Sequence, residues 1–249
     1  GLAFEIIVVD NSSKDHTREM VTSKFPKVKY CFEKNKGVSF ARNKGIQKAK
    51  HSWIAFLDSD DEWLPQKLEK QIQLIDRSPK RYRLVHSNEH WFKNDVYLNQ
   101  SKQHKKNGGD IFKQSLKLCC ISPSSVLIRS DVFKEIGVFD EKMPVCEDYD
   151  LWLRITANEE ILFVEEPLIR KFGGHPDQLS KKFWGMDRFR VYSIEKLINS
   201  NSLNSEKKTC AQDILIKKLN ILMNGAQKRK NNEIYKYYKE KLKCLLNNQ

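Results

Sequence analysis

At 249 residues, 39% of them apolar and 31% charged, the chain suits one large α/β domain with a helical appendage and a well-solvated surface. Its longest apolar stretches, at residues 6–9 and 53–57, fall far short of the roughly 20 residues that span a bilayer, and no charged-then-apolar-then-small leader pattern is present. The net charge is +13, and the six cysteines include no Cys-x-x-Cys pair, which argues against a disulfide scaffold or structural zinc and for a reduced, cytoplasmic setting.

Residues 4–9 form a short β-branched apolar run, the pattern of a buried parallel strand, ending in the turn cluster Asp10-Asn11-Ser12-Ser13. A helix over 17–24 and a strand over 28–32 follow. Ser39 suits the N-cap of a helix running to about residue 50. A third strand, 53–57, ends in the acidic cluster Asp58-Ser59-Asp60-Asp61. A helix spans 65–77, with Leu68, Ile72 and Ile75 at helical spacing. Strands are expected at 84–87 and 89–97, a mobile lysine-rich loop at 99–109, and a helix at 111–118. A strand at 124–129 and helices at 131–136 and 148–157 come next, then strands at 161–164 and 167–172. Beyond Pro176 the pattern is helical, over 186–199, 209–223 and 233–246.

Alternation of strand and helix argues for a doubly wound, mostly parallel sheet, whose ligands sit at the carboxyl ends of strands. Asp10 and the Asp58-Ser59-Asp60-Asp61 cluster both fall on that rim. Three carboxylates in four positions repel one another and call for a compensating cation. Mg²⁺ typically takes one or two protein carboxylates and completes its shell with phosphate oxygens and water. The plain alternative is an acidic turn capping the next helix. A calcium loop of the helix–loop–helix kind is excluded, because Trp63 stands where that loop needs glycine.

The second acidic cluster is Glu147-Asp148-Tyr149-Asp150-Leu151-Trp152-Leu153-Arg154. Asp148 can take a proton from a hydroxyl or serve as a helix cap, and a helix N-terminus suits both. Arg42 can pair with phosphate or make an ordinary salt bridge. His175, after Gly173-Gly174, can be a ligand or a surface imidazole.

Together these segments resemble the family 2 glycosyltransferases of the GT-A fold. Ile7-Val8-Val9-Asp10-Asn11-Ser12-Ser13-Lys14-Asp15-His16-Thr17 is similar to that family's strand and V-D-D-G-S-x-D-x-T. Gly37-Val38-Ser39-Phe40-Ala41-Arg42-Asn43-Lys44-Gly45-Ile46 resembles G-x-x-x-A-R-N-x-G. Phe56-Leu57-Asp58-Ser59-Asp60-Asp61 resembles F-L-D-x-D-D, and the run from Glu147 to Arg154 resembles E-D-x-D-L-W-L-R. The resemblance covers about residues 4–175 and implies a mixed, mostly parallel sheet flanked by helices. It implies a catalytic domain over 1–175 and a basic helical extension over 176–249. Asp10, Asn11, Arg42, Asp58 and Ser59 would bind the donor, with Asp10 on the nucleotide base. Asp60 and His175 would hold Mg²⁺ or Mn²⁺, and Asp148 would be the catalytic base. Asn11 and Ser12 depart from the family's Asp-Gly. The family's opening strand has no counterpart, so the expected sheet lacks it.

The implied reaction moves a sugar from a nucleoside-diphosphate donor, a uridine diphosphate sugar by expectation, to an acceptor hydroxyl with inversion. The acceptor would be a glycan or a lipid-linked molecule. The alternative, resting on the absent opening strand, is a catalytically impaired or regulatory nucleotide-binding domain. From Glu206 onward eleven Lys/Arg face four Asp/Glu, so this tail can meet an anionic membrane surface or simply be a solvated helical face packed on the domain. No nucleic-acid motif is present, and no early glycine-rich phosphate loop supports a nucleotidyltransferase.

Overall fold

The computed structural model describes residues 3–174 and 182–247. Its first unit is a parallel pair of strands, β1 (Ile7–Asp10) and β2 (Lys29–Phe32), with Ile7 opposite Lys29 and Asp10 opposite Phe32. A parallel pair needs a crossover, and α1 (Thr17–Lys24) supplies it. α2 (Val38–Lys48) starts at Gly37, whose φ of 140° few side chains tolerate. Ser39 therefore lies inside the helix rather than at its cap, and its hydroxyl is buried without a hydrogen-bond partner. The turn is closed instead by Asn11, whose Oδ1 accepts the Gly37 N–H at 2.7 Å.

The second unit is a six-stranded sheet. Its order is β3 (Trp53–Ala55), β7 (Leu127–Arg129), β5 (Leu84–Lys93), β8 (Leu162–Gly173), β4 (Asp61–Trp63), with β6 (Val96–Leu98) folded back on β5. The mixed α/β sheet with flanking helices is as expected, but its balance is not. Among the described residues only β5–β8 is parallel in this sheet, and the other pairings are antiparallel. Short returns explain part of this. β5 and β6 are joined through Asn94 and Asp95, both at positive φ, the geometry of a tight hairpin, and such a turn can only make antiparallel neighbours.

Two expected strand pairs each turn out to be one strand. The stretches 84–87 and 89–97 fuse as β5 through Lys93, and 161–164 and 167–172 fuse as β8. Both breaks in the sequence pattern fall at one place in space, because Asn88 faces Pro167 where the ladder shifts register. Proline has no N–H to donate, so the ladder slips there and resumes.

Helices α3 (Lys67–Arg77), α4 (Phe112–Lys117), α5 (Ser130–Glu135) and α6 (Glu147–Thr156) pack around this sheet. α6 is buried on nearly all sides and joins two cores. Leu151, Trp152 and Ile155 pack with Ile54, Leu84, Ile128 and Phe139. Tyr149 and Leu153 pack with Phe112, Leu116, Ile194, Leu215, Leu219 and Tyr238. The last three belong to α8 (Ser205–Lys228) and α9 (Asn232–Asn247), and Ile194 belongs to α7 (Asp187–Asn199). The C-terminal helices thus share a core with α4 and α6. Among the described residues no helix is long and apolar enough to cross a membrane.

Residues 99–109 are held, not free. Lys106 Nζ lies 3.1 Å from Glu89 Oε1 and donates to the Cys120 carbonyl at 3.1 Å, both side chains of the pair being buried. Gln100 donates to the Glu89 carbonyl at 2.7 Å. Lysine-rich composition suggests a mobile loop, but it cannot reveal that one lysine finds a buried carboxylate 17 positions away.

Lys67 is also buried. Its ammonium donates to Gln71 Oε1 and the Val126 carbonyl and lies 4.4 Å from the Trp63 ring centroid. Burial pushes its pKa down from 10.5 to about 7. Between those values the unfolded chain holds a proton that the folded chain has released, so folding stability gains with rising pH; below about 7 both states are charged and the gain stops. The wild type is expected to gain stability relative to Lys67→Met by up to about 1.4 kcal/mol per pH unit from pH 7 to 9. Urea unfolding at those pH values measures it, and parallel curves for the two proteins would refute it.

Candidate active site

Two carboxylate-bearing segments meet at one guanidinium. Arg42 extends from the first turns of α2. Its Nη2 lies 2.6 Å from Asp58 Oδ1, at the turn after β3, and its Nη1 lies 2.6 Å from Glu147 Oε1, at the start of α6. The guanidinium is 5.2 Å from the Phe139 ring centroid. It is nearly buried, with 10% of the side chain exposed, and the two carboxylates hold its pKa above the ordinary arginine value despite desolvation. Of the two readings left open for Arg42, a phosphate partner or a salt bridge, the structure shows salt bridges, with both terminal nitrogens meeting carboxylates.

The acidic turn divides its charges. Asp61 is turned inward, where Ser124 Oγ donates to Oδ2 at 2.7 Å, Lys171 Nζ lies 3.3 Å from the same oxygen, and the Phe172 N–H donates to Oδ1 at 3.3 Å. Burial raises its pKa, against the pull of Lys171 and Ser124. Ser124 Oγ also accepts the Asp58 N–H at 3.0 Å, so one hydroxyl fixes both ends of the turn. Ser59 and Asp60 are exposed and make no hydrogen bond or ion pair among the described residues. Asp58 keeps Oδ2 free of the Arg42 contact.

Asp148 stands at the opening of α6. Cys146 precedes it in the left-handed region, with φ 62° and ψ 21°, so the chain enters the helix through a sharp corner. In the otherwise buried run of residues 145–153, Asp148 is the half-exposed position. Its Oδ1 accepts the Tyr149 N–H at 2.7 Å, and its Oδ2 lies 3.3 Å from Cys119 Sγ. Beside it, Glu147 is buried, and burial together with the Asp148 charge pushes its pKa up to about 7 against the pull of Arg42.

Asp10 and Asn11 occupy the rim at the end of β1. Asp10 is buried; its Oδ2 accepts the Tyr30 hydroxyl at 2.6 Å and its Oδ1 the Ser13 N–H at 2.8 Å. The Tyr30 hydrogen bond, ahead of that from Ser13 and against burial, holds its carboxyl below the usual range. Asn11 donates to the carbonyls of Glu33 and Asn35 while accepting from Gly37, and so knots the turn after β1 to the turn before α2. His175 lies outside the described residues.

The residues sequence reasoning passed over are Ser124, Lys171, Tyr30, Cys119 and Glu147 as a partner of Arg42. Only Glu147 had a signal, its place beside Asp148.

A divalent cation can be tested against this donor set. Asp60 offers an unengaged exposed carboxylate and Asp58 an oxygen not used by Arg42, two oxygen donors of the kind Mg²⁺ accepts. No group of three or more His, Cys, Asp or Glu side chains is poised to bind a metal among the described residues. An ion here would have to complete its shell with water or ligand oxygens. Two grooves of about 660 and 460 Å³ lie elsewhere, one beside Glu195 and Tyr237, the other beside Trp53 and Tyr82.

Comparison with known proteins adds three findings. The family model described as glycosyl transferase family 2 matches residues 1–137. An uncharacterized glycosyltransferase of Rickettsia typhi is 31% identical over 173 residues, 67% of this chain and 54% of the relative. One of Methanocaldococcus jannaschii is 30% identical over 172 residues, 67% of this chain and 59% of the relative. The chain therefore spans little more than half the length of these relatives. Among solved structures, S. aureus TarS 1-349 in complex with UDP-GlcNAc aligns with TM-score 0.65 at 20% identity, over 87% of this chain and 63% of that one. Identity that low carries the fold alone.

Proposed function

The chain belongs to glycosyl transferase family 2, and from that premise we propose that it moves a sugar from a nucleoside diphosphate to an acceptor hydroxyl with inversion at the anomeric carbon. The observation that carries the reading is the Arg42 bridge. One buried guanidinium draws the Asp58 turn and the start of α6 together, so the oxygen donors of Asp58 and Asp60 and the half-exposed Asp148 belong to one neighbourhood.

In this reading Asp148 receives the proton of the acceptor hydroxyl as that oxygen attacks the sugar. Asp58 and Asp60 would hold Mg²⁺ or Mn²⁺, joined by His175, and such an ion when bound offsets negative charge on a diphosphate. Asp10 and Asn11 shape the wall on which the nucleotide base rests, Asn11 through the turn it ties and Asp10 through the Tyr30 hydroxyl it orders. Ser59, exposed beside Asp60, would offer its hydroxyl to the diphosphate or ribose. A uridine diphosphate donor is supported by the likeness to TarS, a protein solved with UDP-GlcNAc. A glycan or lipid-linked acceptor, and contact of the basic tail with an anionic membrane, belong to the same proposal. The impaired or regulatory alternative gains nothing from the relatives, which are named glycosyltransferases.

Titration of UDP by calorimetry with and without Mn²⁺ tests the site. Asp60→Ala is expected to remove the Mn²⁺-dependent part of UDP affinity, about tenfold or more for loss of one of the three proposed protein ligands, leaving metal-free binding in place. The same Mn²⁺ response in wild type and variant would overturn the metal assignment. Release of UDP from a panel of UDP-sugars then tests the activity itself.

A further inference from the structure

The thiol of Cys119 plays no part in the reaction described above, yet it is the one side chain hydrogen-bonded to the Asp148 carboxylate among the described residues. Resting on the reading of Asp148 as base, we propose that Cys119 is a positioning residue, whose S–H donates to Asp148 Oδ2 and fixes the carboxylate's rotation.

The sulfur lies 3.3 Å from Asp148 Oδ2 and 3.4 Å from the Ile121 carbonyl. It has a single proton to give. An ionised carboxylate is the stronger acceptor, so the proton goes to Asp148. Packing and the Asp148 charge push the thiol pKa well above its ordinary value, so the sulfur keeps its proton and remains a donor at neutral pH.

The segment that carries the sulfur is itself pinned. Lys106 holds the Cys120 carbonyl at 3.1 Å, Ser122 Oγ donates to Glu89 Oε1 at 3.1 Å, and the Tyr149 hydroxyl donates to the Leu116 carbonyl at 2.7 Å. The last contact comes from the residue following Asp148, so thiol and carboxylate are set by one frame. With the Tyr149 N–H on Oδ1, Cys119 gives each carboxylate oxygen one donor. The charged and titratable groups around the pair are Arg42 from α2, Glu147 and Cys146 at the head of α6, and Cys120 and Lys106 beside the sulfur.

Donation to the ionised form lowers a carboxyl pKa, so the bond can be read without knowing the sugar donor. The experiment is an NMR titration of the full chain labelled with ¹³Cγ-aspartate, the Asp148 signal being assigned by its loss in Asp148→Asn. Cys119→Ala and Cys119→Val remove the donor, the second while filling the space; Cys119→Ser keeps a donor. The Asp148 midpoint is expected to rise by about 0.5–1 pH unit in the Ala and Val variants and to stay at or below the wild-type value in the Ser variant. The Ser variant, which changes the packing but keeps a donor, tells loss of the hydrogen bond from a change of packing. An unshifted midpoint in whichever of the Ala and Val variants folds, or an equal rise in the Ser variant, overturns the proposal. The base reading falls separately, if Asp148→Asn keeps normal turnover; the titration result would stand either way.

Discussion

Asp148→Asn is expected to lower sugar transfer by about 10²–10⁴-fold while UDP binding stays at the wild-type value. Asparagine has nearly the shape of aspartate, and its oxygen can still accept the Tyr149 N–H that aspartate accepts at 2.7 Å. α6 owes its position to Leu151, Trp152, Leu153 and Ile155, which the substitution does not touch. What is lost is the capacity to take a proton. Initial rates with a UDP-sugar and a calorimetric UDP titration measure the two halves of the statement. Transfer at the wild-type rate would remove Asp148 from the base role. A parallel loss of UDP affinity would instead assign Asp148 to the donor.

The second large effect is on stability. Arg42→Met leaves Glu147 and Asp58 without the cation that each now meets at 2.6 Å. Glu147 is buried and cannot recover its hydration. Removing one partner of a buried pair costs about 3–5 kcal/mol, and urea unfolding at pH 8 is expected to show a loss of that size. The loss should shrink in acid. Glu147 already has its pKa pushed up to about 7 by burial and the neighbouring Asp148, so the folded chain binds its proton more tightly than the unfolded one. Its contribution is therefore present in full below about 4.5 and is lost as pH rises through about 7. Without Arg42 the carboxyl protonates more readily still. A variant equally unstable at pH 5.5 and pH 8 would show that the cost lies in lost packing on Phe139 rather than in stranded charge.

Much of this was written locally in the sequence. The turn bearing Asp58 and Asp60 follows an apolar run, Asp148 opens an amphipathic segment, and the helix carrying Arg42 begins close to where glycine breaks the chain. Each needs only a few neighbouring residues to be seen. The partners were not legible, because they come from far along the chain. Arg42 reaches Glu147 across 105 positions, and Ser124 reaches Asp61 across 63. The fusion of β5 and of β8 was hidden by the gaps at Asn88 and at residues 165–166, which look like breaks until they are seen to flank one shift in register between the two strands. The anchoring of residues 99–109 rests on partners distant in sequence, the Lys106–Glu89 ion pair and the Gln100 bond to the Glu89 carbonyl among them, which composition does not show.

α6 is gripped on both flanks. On one side Lys196 Nζ lies 2.7 Å from Asp150 Oδ1 and 2.7 Å from Asp140 Oδ2, and Arg154 bonds Asp150 from within the helix. On the other, the Tyr149 hydroxyl is tied to Leu116. If Asp148 is the base proposed above, it rides on a beam held at both flanks, and an acceptor would have to bring its own hydroxyl into line, so that choice between acceptors would turn on how each one can lie down rather than on how far the protein can reach.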